Sequence, residues 1–293
     1  MKLRFWGVRG SIPSPGPETV RYGGNTTCLE IRTDAGHLIL IDGGTGIYRA
    51  ALSLLGSMPL DVNILLTHTH WDHIQGLPFF IPIFVANNNI HIHGPSDPVT
   101  GADIRQVMEV QLQHSYFPVL ESELRANLAY HTLRSGEPIV LGDATITPVL
   151  MNHPVTNLGY RIDCNGKSFY FSGDHEPYAS IDAPGDAAPA SLPIDPQAGV
   201  IERALAGLDV LVMDTSFTPD EYQSKIGWGH GTFDSAMALA DKVGAKTLFC
   251  THHEPSRSDD ALEAAFRAAL ERNPVAAGNV DIQLALEGLV LDW

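Results

Sequence analysis

The heptapeptide Thr67-His68-Thr69-His70-Trp71-Asp72-His73 decides how this chain is read. Three imidazoles and a carboxylate lie within it, and Val62-Asn63-Ile64-Leu65-Leu66 runs directly into it. That mostly apolar run predicts a buried strand, which puts the polar cluster in the loop at the strand's C-terminal end. Imidazole and carboxylate together are a ligand set for zinc and similar divalent ions. Four candidate ligands from one loop are too many for a single open catalytic ion that also draws on other loops. The stretch therefore predicts two ions close together, provided the rest of the chain supplies the missing ligands.

Four later apolar runs end in residues able to do so. Ile146 to Met151 leads to His153, and Ser168 to Phe171 leads to Asp174-His175. Leu208 to Met213 leads to Asp214, and Thr247 to Cys250 leads to His252-His253-Glu254. Gly229-His230-Gly231 stands just ahead of a predicted helix. Polar residues placed after buried strands collect at one sheet edge, where loops converge. One such histidine is usually a packed or surface residue. Four such strand ends beside a dense histidine loop predict a metal site.

Between these points the chain reads as a single α/β domain spanning residues 1–293. Leu3 to Trp6 is expected to be an edge strand. Thr27 to Arg32 and His37 to Ile41 form a hairpin on Asp34-Ala35-Gly36, and a second hairpin turns at Asn165-Gly166. Helices are expected over Ile47 to Leu55, Asp103 to Gln113, Thr232 to Val243 and Asp259 to Arg272. Each half of the chain runs from strands to helices, a weak two-fold repetition. Residues 183–197 hold four prolines and predict an irregular surface excursion.

Composition narrows the partners. Thirty-four acidic residues against 18 basic give a net charge of −16, which repels long nucleic acids, and no basic arm offsets it. A small phosphate ester held by a local positive site stays compatible. No apolar run is long enough to span a bilayer. The stretch Met1 to Gly7 lacks the apolar segment of a secretory signal, so a cytoplasmic location is expected. Cys28, Cys164 and Cys250 are odd in number and widely spaced, which predicts free buried thiols and no disulfide framework.

Taken together, His68-x-His70-x-Asp72-His73, His153, Asp174 and His252, with Asp42-Gly43-Gly44 ahead of them, resemble the metallo-β-lactamase superfamily. The resemblance covers most of the chain. It implies a four-layer αβ/βα sandwich with the site at one edge of its two sheets. It implies that His68, His70 and His153 hold one divalent ion, that Asp72, His73 and His252 hold the second, and that Asp174 bridges them. Zinc is the expected metal, with manganese or iron as alternatives. His252 takes the last ligand place because it follows Thr251 directly. His253 would then face the substrate or support the ligands.

A shorter match, Gly229-His230-Gly231-Thr232 followed by Leu248-Phe249-Cys250-Thr251-His252, resembles the phosphodiesterase branch. That branch includes tRNA 3′-end processing endonucleases and small cyclic-phosphate diesterases. The resemblance implies that His230 meets the phosphate and protonates the leaving oxygen, with Asp214 orienting it. The competing reading has His230 capping the helix or simply packing, and Asp214 serving as a turn residue. The expected function is hydrolysis of a small or cyclic phosphodiester. A water made acidic by both ions would attack, Asp72 would belong to the catalytic set, and His230 would be the general acid. One alternative is thioester or lactone hydrolysis at the same centre. Another is a non-hydrolytic di-metal redox or binding protein. A homodimer is expected by analogy with the same branch. Asn25, Trp71, His114, Tyr116, Phe117 and His175 are further candidates to line or support the site. His37, His91, His93 and His131 receive no role.

Overall fold

The computed structural model describes residues 1–178 and 196–293, so nearly all of the proline-rich stretch 183–197 lies outside the described residues. Apolar alternation builds two sheets. The first contains β1 (Lys2–Gly7), β2 (Cys28–Arg32), β3 (Leu38–Ile41), β4 (Asp61–Leu65), β5 (Asn89–Gly94) and β6 (Asn127–Thr132). The second contains β7 (Ile139–Leu141), β8 (Ala144–Met151), β9 (Asn157–Cys164), β10 (Lys167–Phe171), β11 (Val210–Asp214), β12 (Thr247–Thr251) and β13 (Asp281–Leu284). The last strand, β14 (Val290–Asp292), returns to the first sheet. The orders are β14-β1-β2-β3-β4-β5-β6 and β13-β12-β11-β10-β9-β8-β7.

Both sheets follow one plan. Antiparallel pairs run to β3 in the first sheet and to β10 in the second, and parallel pairs follow. The weak two-half repetition of the sequence is this shared plan. The β9–β10 hairpin turns at Asn165 (φ 51°) and Gly166 (φ 79°), the two left-handed residues that a tight hairpin needs. The expected edge position of the first strand is corrected. Leu3 of β1 pairs with Leu291 of β14 as well as with Ile31 of β2, so β14 forms the edge.

Period-two alternation sorts side chains into three cores. In β3, Ile39 and Ile41 face the other sheet, whereas Leu38 and Leu40 face helices. In β11, Val210 and Val212 join the inter-sheet core, while Leu211 and Met213 pack under helices. Helices α1 (Gly46–Leu54), α2 (Trp71–Ile74) and α3 (Ile104–Gln111) follow strands of the first sheet. Helices α4 (Pro196–Leu205), α5 (Pro219–Tyr222), α6 (Phe233–Val243), α7 (Asp259–Arg272) and α8 (Pro274–Asn279) belong to the second half of the chain. Helix, sheet, sheet and helix are therefore the four layers. Aligned parallel strands send the loops after β4, β10, β11 and β12 to one rim, and that rim carries the site.

Candidate metal centre

The loop after β4 brings His68, His70, Asp72 and His73 to this rim. The short helix α2 opens at Trp71 and turns Asp72 and His73 inward. His153 arrives after β8, Asp174 after β10 and His252 after β12. Ligating atoms of His68, His70, His153 and Asp174 lie within 4.8 Å of one another, as do those of Asp72, His73, Asp174 and His252. Asp174 belongs to both groups. Its Oδ2 is 3.5 Å from His68 Nε2 and 3.8 Å from His153 Nε2. Its Oδ1 is 3.2 Å from His73 Nε2 and 3.1 Å from His252 Nε2.

The donor set fits ions. Buried His68 Nε2, His73 Nε2 and Asp174 Oδ1 have no hydrogen-bond partner, although they converge. Orphaned buried groups of this kind are expensive in a protein interior. The opposite ring nitrogens are committed. His73 Nδ1 donates to Asp42 Oδ2 at 2.8 Å, and His153 Nδ1 donates to the Gly229 carbonyl at 3.0 Å. His252 Nδ1 meets Ser216 Oγ at 2.9 Å. These contacts leave the Nε2 lone pairs facing the cluster, the arrangement that ligating histidines require. Burial, reinforced by the neighbouring His73, lowers the His68 pKa well below its usual value and favours the neutral ligand form. Burial alone would raise the Asp174 pKa, but the surrounding His252, His73 and His68 hold it well below the carboxylate range. The residue shared by both groups thus carries a charged carboxylate.

Two ligand-side residues sit in left-handed backbone, Asp42 at φ 62° and His252 at φ 58°. Such conformations are costly for side-chain-bearing residues and concentrate at functional sites. Close packing holds the His252 ring: a Cβ built on Gly10 would collide with it. Ser11 N donates to Asp72 Oδ2 at 2.8 Å, so the loop after β1 also braces the centre.

His230 and Asp214 meet beside this cluster. His230 Nδ1 lies 2.8 Å from Asp214 Oδ2. Burial opposes the charged imidazolium, but Asp214 and Asp174 outweigh it and push the His230 pKa up to about 9. Asp214 is otherwise saturated, accepting from His175 N through Oδ2 and from Ser216 N and Oγ through Oδ1. Its donor atoms also lie within 4.8 Å of those of Asp174, His230 and His252, a third group of closely placed donors. The capping alternative for His230 does not hold, because Thr232 is the N-cap of α6 and accepts from Ser235 N.

Other expectations are resolved. His253 is fully buried and donates to the Ala285 carbonyl at 2.8 Å, so it neither ligates nor faces a substrate. Asn25 is tied to Glu287 by its backbone and side-chain nitrogens and does not reach the ligands. His175 supports Asp214 through its backbone. Phe117 packs edge-on against Phe79, while His114, Tyr116 and Trp71 are exposed. Sequence reading missed the bracing roles of Asp42, Gly10, Ser11, Ser216 and the Gly229 carbonyl. Only Asp42, directly after an apolar strand, left a readable signal.

Residues 37–253 match the model of the beta-lactamase superfamily domain. The chain belongs to this superfamily. Ribonuclease BN of Cronobacter sakazakii is 25% identical over 296 residues, spanning 86% of this chain and 88% of that protein. Ribonuclease Z of Haloarcula marismortui is 25% identical over 287 residues, spanning 86% of each. The crystal structure of the metallo-beta-lactamase fold protein YhfI from Bacillus subtilis covers 99% of both chains, with a TM-score of 0.68 at 18% identity, and shares the fold. The superfamily member described here is a metal-dependent hydrolase related to ribonuclease Z.

Proposed function

We propose that this chain is a phosphodiesterase with two divalent ions, forming one domain over residues 1–293 and acting on a small or cyclic diester. The His230–Asp214 pair beside the ligand cluster carries the reading. His68, His70 and His153 would hold one ion, Asp72, His73 and His252 the other, and Asp174 would be shared. Zinc suits this imidazole-rich set best. Two ions there would supply Lewis acidity toward phosphoryl oxygens and a water acidic enough to react at neutral pH.

The chain's own residues do the rest. Asp214 fixes the His230 tautomer by accepting from Nδ1 and favours the protonated ring. With Nδ1 held by Asp214, His230 would deliver a proton from Nε2 to the departing alkoxide. A thioester or lactone has less need of that proton.

The ribonuclease names of the relatives raise RNA as a substrate. A net charge of −16 works against a long polyanion and favours a small diester. Among the described residues no helix is long and apolar enough to cross a membrane. The three cysteines are free and buried, which accords with a reducing compartment, and the proposal places the protein in the cytoplasm.

The test is turnover by the zinc- or manganese-loaded protein on cyclic nucleotides, an RNA 3′ trailer, a thioester and a lactone. Hydrolysis of a cyclic or small diester supports the proposal. Turnover confined to the thioester or lactone overturns it, and turnover confined to the trailer overturns the small-substrate part.

A further inference from the structure

Three segments that carry candidate ligands meet at one buried amide. Asn157 opens β9 and is fully buried. Its antiparallel partner is Met151, so these two residues close the loop that carries His153. Asn157 Nδ2 donates to the Ser172 carbonyl at 2.9 Å and to the Asp174 carbonyl at 2.6 Å. Both partners are carbonyls, so it is the nitrogen of the amide that faces them. The next residue, Leu158, donates its backbone amide to the Thr67 carbonyl at 2.8 Å, directly ahead of His68. The dipeptide Asn157-Leu158 therefore links the turn after β10, in the second sheet, to the histidine loop after β4, in the first.

The turn that it holds has little slack. Gly173 lies between the two accepting residues, in left-handed backbone at φ 59°. A Cβ built there would lie 2.5 Å from Asn157 Oδ1 and 2.8 Å from Thr67 Cβ. Turn, amide and histidine loop thus crowd around Gly173 with no room for a side chain. Asn157 Oδ1 itself is buried without a hydrogen-bond partner. An unpaired buried amide oxygen is costly, and an apolar side chain would pack there without that cost. What the amide supplies is its pair of donors to the backbone on either side of Gly173.

We infer that Asn157 is a positioning residue for the whole centre: it fixes the backbone of Asp174 against the segments that carry His68 and His153, and so sets the distance from the shared carboxylate to the imidazoles. This rests on the two-ion reading above. Asp174 belongs to both groups of donors, so a displaced Asp174 weakens both ion positions at once. That signature separates Asn157 from Gly10, which abuts His252 of one group.

The experiment measures the stepwise zinc affinities of the full chain by competition with a chelator, at a temperature where circular dichroism shows the fold intact. The native protein should bind two ions. Asn157→Leu, which matches the branching of the side chain and removes both donors, should weaken both steps by about 10- to 100-fold, the effect expected of losing a partner behind a ligand. Gly173→Ala, which pushes the turn off Asn157, should do the same. If only one of the two variants folds, that one decides. Native affinities in a folded variant overturn the inference, and so does a loss confined to one ion. Unfolding of both variants also overturns it, because the amide then holds the fold rather than the centre. A native chain that binds fewer than two zinc ions removes the two-ion reading itself, whereas two ions held equally well by native and variant chains remove the positioning role alone.

Discussion

Asp42 holds His73 by its far nitrogen: Oδ2 lies 2.8 Å from Nδ1, while Nε2 faces Asp72 and Asp174. The same carboxylate accepts from the Thr67 amide and hydroxyl, which ties the start of the histidine loop to the end of β3. One buried side chain therefore sets both the tautomer of a candidate ligand and the path of the loop that carries four candidates.

Asp42→Ala should release this grip. Metal affinity is expected to fall about 10- to 100-fold, the usual effect of removing a partner behind a ligating histidine. Titration against a competing chelator reads it. Unchanged affinity for both ions would show that His73 is oriented by packing alone.

Gly10 has room for hydrogen only, because its missing Cβ points at the His252 ring. Gly10→Ala should push His252 away from Asp72 and Asp174 and empty the second ion position first. Elemental analysis is expected to fall from two ions toward one per chain. The Asp72, His73, Asp174 and His252 group loses a member, whereas His68, His70 and His153 do not.

His230→Ala should keep both ions and lose catalysis selectively. General acid catalysis typically contributes 10²- to 10⁴-fold, so turnover of a diester with an alkoxide leaving group should drop by about that factor. Loss on a p-nitrophenyl diester should be much smaller, because that leaving group departs without a proton. Equal losses on both substrates would count against proton donation by His230.

Glu176→Ala should loosen the segment from Tyr222 to Gly229 without touching a ligand. Hydrogen exchange at the Gly227 and Gly229 amides should rise sharply, since both donate to Glu176. His153 relies on the Gly229 carbonyl, so its ion should also bind more weakly.

Away from the centre, His93 sets an acid limit. Burial, together with the neighbouring His131 and His91, lowers its pKa to about 3. The folded protein keeps it neutral, while the unfolded chain protonates it below its ordinary value near 6.5. Its contribution to stability is therefore present above about pH 6.5 and declines as pH falls toward 3, by up to roughly 1.4 kcal/mol per pH unit. His93→Gln retains a donor for Asn63, which His93 Nε2 meets at 2.9 Å. It should flatten the fall of melting temperature between pH 6 and pH 4, and an unchanged slope would assign the acid sensitivity elsewhere.

The sequence alone determined the architecture and the inventory of the centre. Continuous apolar runs such as Leu38 to Ile41 and Val210 to Met213 marked buried strands with polar residues after them, and the four-layer arrangement was implied by the family resemblance. Local chemistry made His68, His70, Asp72 and His73 readable at once, because they are neighbours in the chain. What only the tertiary structure decided involves residues far apart in sequence. His252 rather than His253 faces the cluster because a left-handed turn at His252 sends the next side chain inward to Ala285. The bracing of His73 by Asp42, of His252 by Gly10 and of His153 by Gly229 depends on loops brought together by sheet packing. Apart from Asp42 at the end of its apolar strand, nothing in the composition of those loops announces it. The opening heptapeptide supplied four of the candidate donors, and the orientation of His73, His153 and His252 is set by distant backbone and side chains that only the fold places behind them.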